Sequence, residues 1–137
     1  MSTFVLKKLE AVVGKQQFFE LVVDDNSQFD DYCQTIKDNK QYYSELLKIF
    51  TLMNQVSQLK MLPQTKFKDI TPNKESVKEY EFKSKHLRVY AFHLEKTGKI
   101  VAYGGYKNTQ KDDIPKFRSY KSRYLKSIQN DNQKRIN

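Results

Sequence analysis

The chain has one cysteine, two histidines, three prolines, four glycines and no tryptophan in 137 residues. A lone Cys33 cannot close an internal disulfide, which points to a reducing compartment and a cytoplasmic protein. His86 and His93 are the only histidines, and with Cys33 remote they form no metal-ligand spacing. There is no dinucleotide fingerprint, no P-loop and no nucleophile elbow. No stretch approaches the ~20 apolar residues that a membrane span needs. Phe4-Val5-Leu6 is interrupted at once by Lys7, Lys8 and Glu10, so a secretory leader is not expected either. Any chemistry has to come from Lys, Arg, Tyr and His, and no cofactor and no metal site is expected.

Charge is what the chain has in excess. The formal net charge is +9, and it is polarised. Residues 1–59 carry six Lys/Arg against eight Asp/Glu, and residues 60–137 carry nineteen against eight. A field concentrated in one half of a chain suits a polyanion. RNA or DNA comes first and an acidic protein partner second; no amphipathic basic helix argues for a membrane surface.

Hydrophobic spacing divides the chain into an early helical half and a late strand-rich half. Residues 1–16 are either a hairpin through Gly14-Lys15 or a short helix. Phe18 to Val23 reads as a buried strand. Asn26-Ser27 offers an N-cap, with Asp30 and Asp31 in the first turn of a helix that runs to about Asp38. A longer helix starts near Lys40, with Tyr43, Leu46, Leu47, Phe50, Met53, Val56 and Leu59 as its apolar stripe and Pro63 as its end. Beyond Pro63 the period becomes two. Thr65–Ile70 is a short strand, and Val77–Phe82, Leu87–Leu94 and Ile100–Tyr106 form an antiparallel meander turned at Lys96-Thr97-Gly98-Lys99. Asp112 and Asp113 are expected to cap a last helix with Pro115 in its first turn, packed through Ile114, Phe117, Tyr120, Tyr124 and Ile128. The expected fold is α+β: a small antiparallel, mixed-edge, twisted sheet packed against two N-terminal-half helices, with a C-terminal helix. One domain spans 1–128, and 129–137 reads as a polar, frayed tail.

RNA can be cut without a metal, because its own 2′-hydroxyl attacks the adjacent phosphate. The protein must orient that attack, neutralise charge on the pentavalent transition state and move two protons. On Leu87–Leu94 both faces are largely apolar, so the strand is central and Arg88 opens it near the sheet's end. A charge there needs a partner or a ligand. Glu81 is the structural partner; Lys83 and Lys85 nearby tip the balance toward a phosphate. His93, mid-strand, reads as a core histidine. His86, between Lys85 and Arg88, is the better acid–base candidate.

The run Tyr80 to Phe117 resembles the bacterial toxins of the RelE/HigB superfamily. Its ordered pieces are Tyr80-Glu81-Phe82, Arg88-Val89-Tyr90, the turn at Gly98, Tyr106-Lys107-Asn108-Thr109-Gln110 and Asp113-Ile114-Pro115. The motifs cover about forty residues, and the order of elements covers most of the chain. The resemblance implies a RelE-like, HigB-like fold and a metal-independent endoribonuclease, an mRNA interferase acting on the ribosome. It also implies a cognate helix-turn-helix antitoxin as partner, beside mRNA and the ribosome. Arg88 matches the family's phosphate-binding arginine, Lys83 and Lys85 its basic residues on the preceding strand, and Lys107, with Lys111, the basic segment after the last strand. The family's second lysine after the aromatic is replaced by Asn108, and the tyrosine some members carry beyond the last strand has no match. Tyr106, Tyr120 and His86 are the substitutes for proton transfer. The catalytic set is therefore Arg88, Lys83, Lys85, Lys107 and His86, and RNA contacts are expected from Tyr106, Lys111, Lys116, Arg118, Lys121 and Arg123. A non-catalytic basic RNA- or ribosome-binding module is the alternative.

Overall fold

The computed structural model describes the backbone of residues 2–136 and side chains from Ser2 to Asp131. The fold is α+β, with six strands in one mixed sheet and three α-helices among the described residues. The strands are β1 (Phe4–Lys8), β2 (Phe18–Val23), β3 (Phe67–Asp69), β4 (Glu79–Lys83), β5 (Leu87–Leu94) and β6 (Gly98–Tyr106). Their order across the sheet is β1-β2-β6-β5-β4-β3. Every neighbouring pair is antiparallel except β2 and β6, which run parallel over Phe18–Glu20. The first segment is thus a hairpin arm rather than a helix, with Phe4 opposite Val23.

Helices α1 (Gln28–Ile36) and α2 (Lys40–Ser57) cover one face of the sheet, and α3 (Gln110–Ile136) covers the other. Strand β5 is buried on both faces, which explains why it shows an apolar run instead of alternation. On the α1–α2 side, Phe18, Phe82, Val89 and Val101 pack on Phe29, Ile36, Ile49 and Met53. On the other side, Tyr90, Phe92 and Ile100 pack on Phe117 and Tyr124 of α3. Among the described residues no helix is long and apolar enough to cross a membrane.

Ser27 caps α1, its hydroxyl accepting from Asp30 N–H at 3.0 Å. Helix α2 departs from expectation. Its buried face is Leu46, Ile49, Met53 and Val56, while Tyr43, Leu47 and Leu59 of the expected stripe are exposed. The helix stops at Ser57, well before Pro63, because Leu59 takes a left-handed φ of 64° and the Lys60 N–H turns back to the Gln55 carbonyl. Helix α3 also starts early. A 3₁₀ turn at Lys107–Thr109 winds directly into Gln110, which puts Asp112 and Asp113 inside the first turn and Pro115 beyond it. The helical backbone continues through the segment expected to be a frayed tail, as far as Ile136.

The Gly104-Gly105 pair on β6 marks close approach on both faces. A Cβ on Gly104 would collide with the Tyr32 ring, and one on Gly105 with the Asp113 carboxylate. Just before it, the register slips between Tyr90 and Ala91, leaving Ala102 as the extra residue of a bulge. Both devices shape the end of the sheet where the candidate site lies.

Candidate active site

The β4–β5 hairpin turn, Ser84-Lys85-His86, projects from one end of the sheet beside the end of β6. Lys83 pairs with Arg88 across the hairpin, Arg88 pairs with Gly105, and the Lys107 N–H donates to the His86 carbonyl at 2.8 Å. Four of the expected basic residues are therefore neighbours along one rim. Lys85 and Lys107 are exposed, Lys83 is half-buried and Arg88 is 8% exposed. Lys85 lies in the turn rather than on β4.

A residue that the sequence pattern does not single out organises this turn. Glu45, from the buried face of α2, reaches it with both oxygens. Oε1 accepts from the Ser84 hydroxyl at 2.5 Å and from the His86 N–H at 2.6 Å, and Oε2 lies 2.6 Å from His86 Nδ1. A carboxylate accepts only, so Nδ1 carries the proton, and Nε2 is the imidazole nitrogen left without a hydrogen-bond partner among the described residues. Burial pushes the Glu45 carboxyl up, but the hydrogen bonds from Ser84 and His86 outweigh it and hold it below its ordinary range. The His86 side chain is 34% exposed, so its open nitrogen can meet a ligand. Tyr42 packs 5.6 Å from the His86 ring and 5.6 Å from Tyr106, making an aromatic row along the rim.

Arg88 is held more tightly than a free phosphate ligand would be. Its Nη1 donates to the carbonyls of Ser84 (2.6 Å) and Leu87 (2.8 Å), stapling the same turn, and its buried Nε has no partner. The alternative partner, Glu81, makes no ion pair with Arg88 among the described residues. Glu81 instead faces Lys83 at 3.7 Å and accepts from the Gln110 amide, with Oε1 left without a hydrogen bond. The buried Tyr90 hydroxyl lies near the Glu81 carboxylate but makes no hydrogen bond of ordinary geometry among the described residues. Burial, then the nearby carboxylates of Glu81 and Asp113, push the Tyr90 phenol far up. Tyr106 is raised by burial first and then by Tyr42 and Asp113, so it suits donation better than base catalysis.

The helical cations divide. Lys111, Lys116 and Arg123 are exposed. Arg123 bonds Ser2 Oγ at 2.9 Å and lies over the Phe4 and Tyr120 rings. Lys121 is 4% exposed and donates to Glu79 at 2.7 Å and to the Val77 carbonyl at 2.8 Å. Arg118 holds the other Glu79 oxygen at 2.9 Å and the Ile70 carbonyl at 3.0 Å. These two cations clamp α3 to β4 and the strand's approach. Both therefore have a packing role: Lys121 is buried on Glu79, while Arg118 shares that carboxylate and keeps 39% of its side chain exposed. His93 is half-buried with Lys99 Nζ 3.4 Å from its Nδ1, as a packed strand histidine rather than part of the rim.

No family model, curated protein or solved structure matches the chain. Among the described residues no group of three or more His, Cys, Asp or Glu side chains is placed to hold a metal ion. The chemistry of the rim rests on one imidazole oriented by a carboxylate, in an exposed turn that also carries Lys85 and is bonded through the backbone to Lys107. That combination can accept a proton at Nε2 while the ammonium groups hold an anion.

Proposed function

We propose that the chain is the toxin of a toxin–antitoxin pair: a cytoplasmic, metal-independent endoribonuclease that cleaves mRNA on the ribosome and is restrained by a helix-turn-helix antitoxin. One observation carries the reading. The Glu45–His86 pair lies in the turn that joins Lys83 to Arg88, with Lys85 in the same turn and the Lys107 N–H bonded to the His86 carbonyl. The polarised charge and the ordered resemblance of Tyr80–Phe117 to RelE/HigB toxins support the same substrate.

In this reading His86 Nε2 takes the proton of the 2′-hydroxyl, and the 2′-oxygen attacks the adjacent phosphorus. The bond from phosphorus to the 5′-oxygen breaks, and that oxygen receives a proton from the Lys107 ammonium. The products are a 2′,3′-cyclic phosphate and a 5′-hydroxyl end. Lys85, exposed in the same turn as His86, stabilises the phosphorane charge, and Lys83 and Arg88 at the same end of the sheet add to the positive field. Glu45 is a positioning residue that fixes the tautomer and stabilises the imidazolium.

A non-catalytic RNA- or ribosome-binding module is the second reading, favoured by the commitment of Arg88 to backbone carbonyls. Induction in bacteria, followed by mapping of mRNA ends, separates the two. Growth arrest with new 5′-hydroxyl ends inside codons is the outcome expected for the nuclease. Salt-sensitive ribosome binding without new ends would leave only the module.

A further inference from the structure

We propose that the cleft between the start of α1 and the start of α3 is a nucleobase subsite that selects guanine. The inference rests on the RNA reading above and deepens it by naming the base recognised.

The cleft arises from topology. β2 and β6 are parallel neighbours only over Phe18–Glu20 opposite Lys99–Val101, and then they part. The chain leaves β2 toward α1 on one face of the sheet and leaves β6 toward α3 on the other. Adjacent parallel strands whose connections go to opposite faces open a crevice beyond their carboxyl ends, where α/β sheets bind ligands. Here the crevice has a volume of about 370 Å³, enough for one base. Its floor is Gly104-Gly105, bare of side chains because Tyr32 and Asp113 press in from either face. The edge of β6 is not open for strand pairing, because the Gln28 amide takes both the Gly104 N–H (2.7 Å) and its carbonyl (2.9 Å).

The lining selects the chemistry. Asp31 on α1 is exposed, and among the described residues its carboxylate has no hydrogen-bond partner. Asp113, 6% exposed, also lines the cleft and accepts from the Thr109 hydroxyl. Guanine presents two adjacent donors, N1–H and the N2 amino group, to a carboxylate's two oxygens. Adenine and cytosine place a ring acceptor beside their single amino group, and uracil flanks its one N–H with carbonyls, so each sets an oxygen or nitrogen lone pair against the acid. Tyr106 supplies a ring on which the base can stack, and the row Tyr106–Tyr42–His86 leads from the cleft to the reacting imidazole. Cations flank the mouth. Lys107 follows Tyr106 directly, and Lys116 lies close enough to the Tyr103 hydroxyl to offset part of the rise that burial causes there.

The test is fluorescence anisotropy at low salt with labelled short oligoribonucleotides of A, C and U, and a G-U repeat. The wild-type chain is expected to bind the G-containing strand about tenfold tighter than the others. Asp31→Ala should abolish that preference while leaving affinity for A, C and U strands unchanged. Equal binding of all four strands by the wild type would overturn the guanine subsite and leave the RNA reading standing. So would a preference that survives Asp31→Ala, or a variant that loses affinity for every strand alike. No binding of any strand would sink the RNA reading itself, together with the subsite.

Discussion

Two carboxylates tie helices to this sheet, and they end in opposite states. Glu79, 2% exposed, has Arg118 on one oxygen and Lys121 on the other, and Lys121 also bonds a carbonyl. Every strong valence there is closed by protein. Glu45 is buried almost as well, but its partner His86 keeps one nitrogen without a partner among the described residues, in a turn that also carries the exposed Lys85. The same pairing of acid and base makes a clamp in one place and a candidate site in the other. What separates them is unfilled hydrogen-bonding capacity, and charge alone would not have told them apart.

The comparison breaks most directly at the clamp. Glu79→Ala leaves Lys121 buried without its main partner, and breaking one side of such a pair costs about 3–5 kcal/mol. Urea denaturation should show that loss, or no folded protein at all. A change under about 1 kcal/mol would mean the clamp is solvated and its charges are free after all. His86→Ala should behave in the reverse way. Stability is expected to move by about 1 kcal/mol or less, while cleavage of ribosome-bound mRNA falls about 10²–10⁴-fold. Undiminished cleavage in a folded His86→Ala protein would remove the imidazole from the mechanism.

Much of this arrangement is legible in the amino-acid pattern. The strands Phe18–Val23 and Leu87–Leu94 have the expected bounds, because each is a short apolar run closed by polar residues. Ser27 caps α1 as its position before Asp30 and Asp31 implies. The phase of α2 is where residue type misleads, since Tyr43 and Leu47 count as core by type although they face out. With the phase set by Leu46, Ile49, Met53 and Val56, Glu45 falls on the buried face, four residues before Ile49. A buried acid is the signal that would have found the site. Lys121 carries a similar signal, lying between Phe117 and Tyr124 on one side of α3. The cleft is not legible at all. It depends on β2 and β6 pairing in parallel across some eighty residues of chain, and no local pattern encodes that.

Lys99 sharpens the comparison because it is buried like Lys121 but, among the described residues, has no carboxylate. Its Nζ donates to Gln16 at 2.7 Å and sits 4.8 Å from the Tyr80 ring centroid. Burial lowers the amine to about 8, from an ordinary 10.5. The folded state thus holds this proton less tightly than the unfolded chain, so stability from this residue rises between about pH 8 and 10.5. At pH 7 the full cost of burying the charge is present. Lys99→Met should therefore stabilise the protein at pH 7, by about 1–2 kcal/mol once the lost contacts are offset. The advantage should shrink as pH approaches 10. Equal gains at both pH values would show that packing, not charge, made the difference.

The smallest expected effect tests the open pair. Glu45 is held below its ordinary carboxyl value of 4.5 by Ser84 and His86, so it contributes stability above that pH and loses it as pH falls through the lower folded value. Glu45→Gln keeps the shape and removes the titration. The wild type should lose about 1 kcal/mol or less below pH 4.5 that the variant does not lose, read from thermal melts across the acid range. The same substitution should alter activity more than stability. A glutamine can still accept from Nδ1–H, but it cannot stabilise the imidazolium, so kcat should fall while KM holds. If Glu45→Gln instead lowers stability by several kcal/mol at pH 7 with an unchanged kcat, Glu45 is a second clamp like Glu79, and the contrast between the two carboxylates collapses.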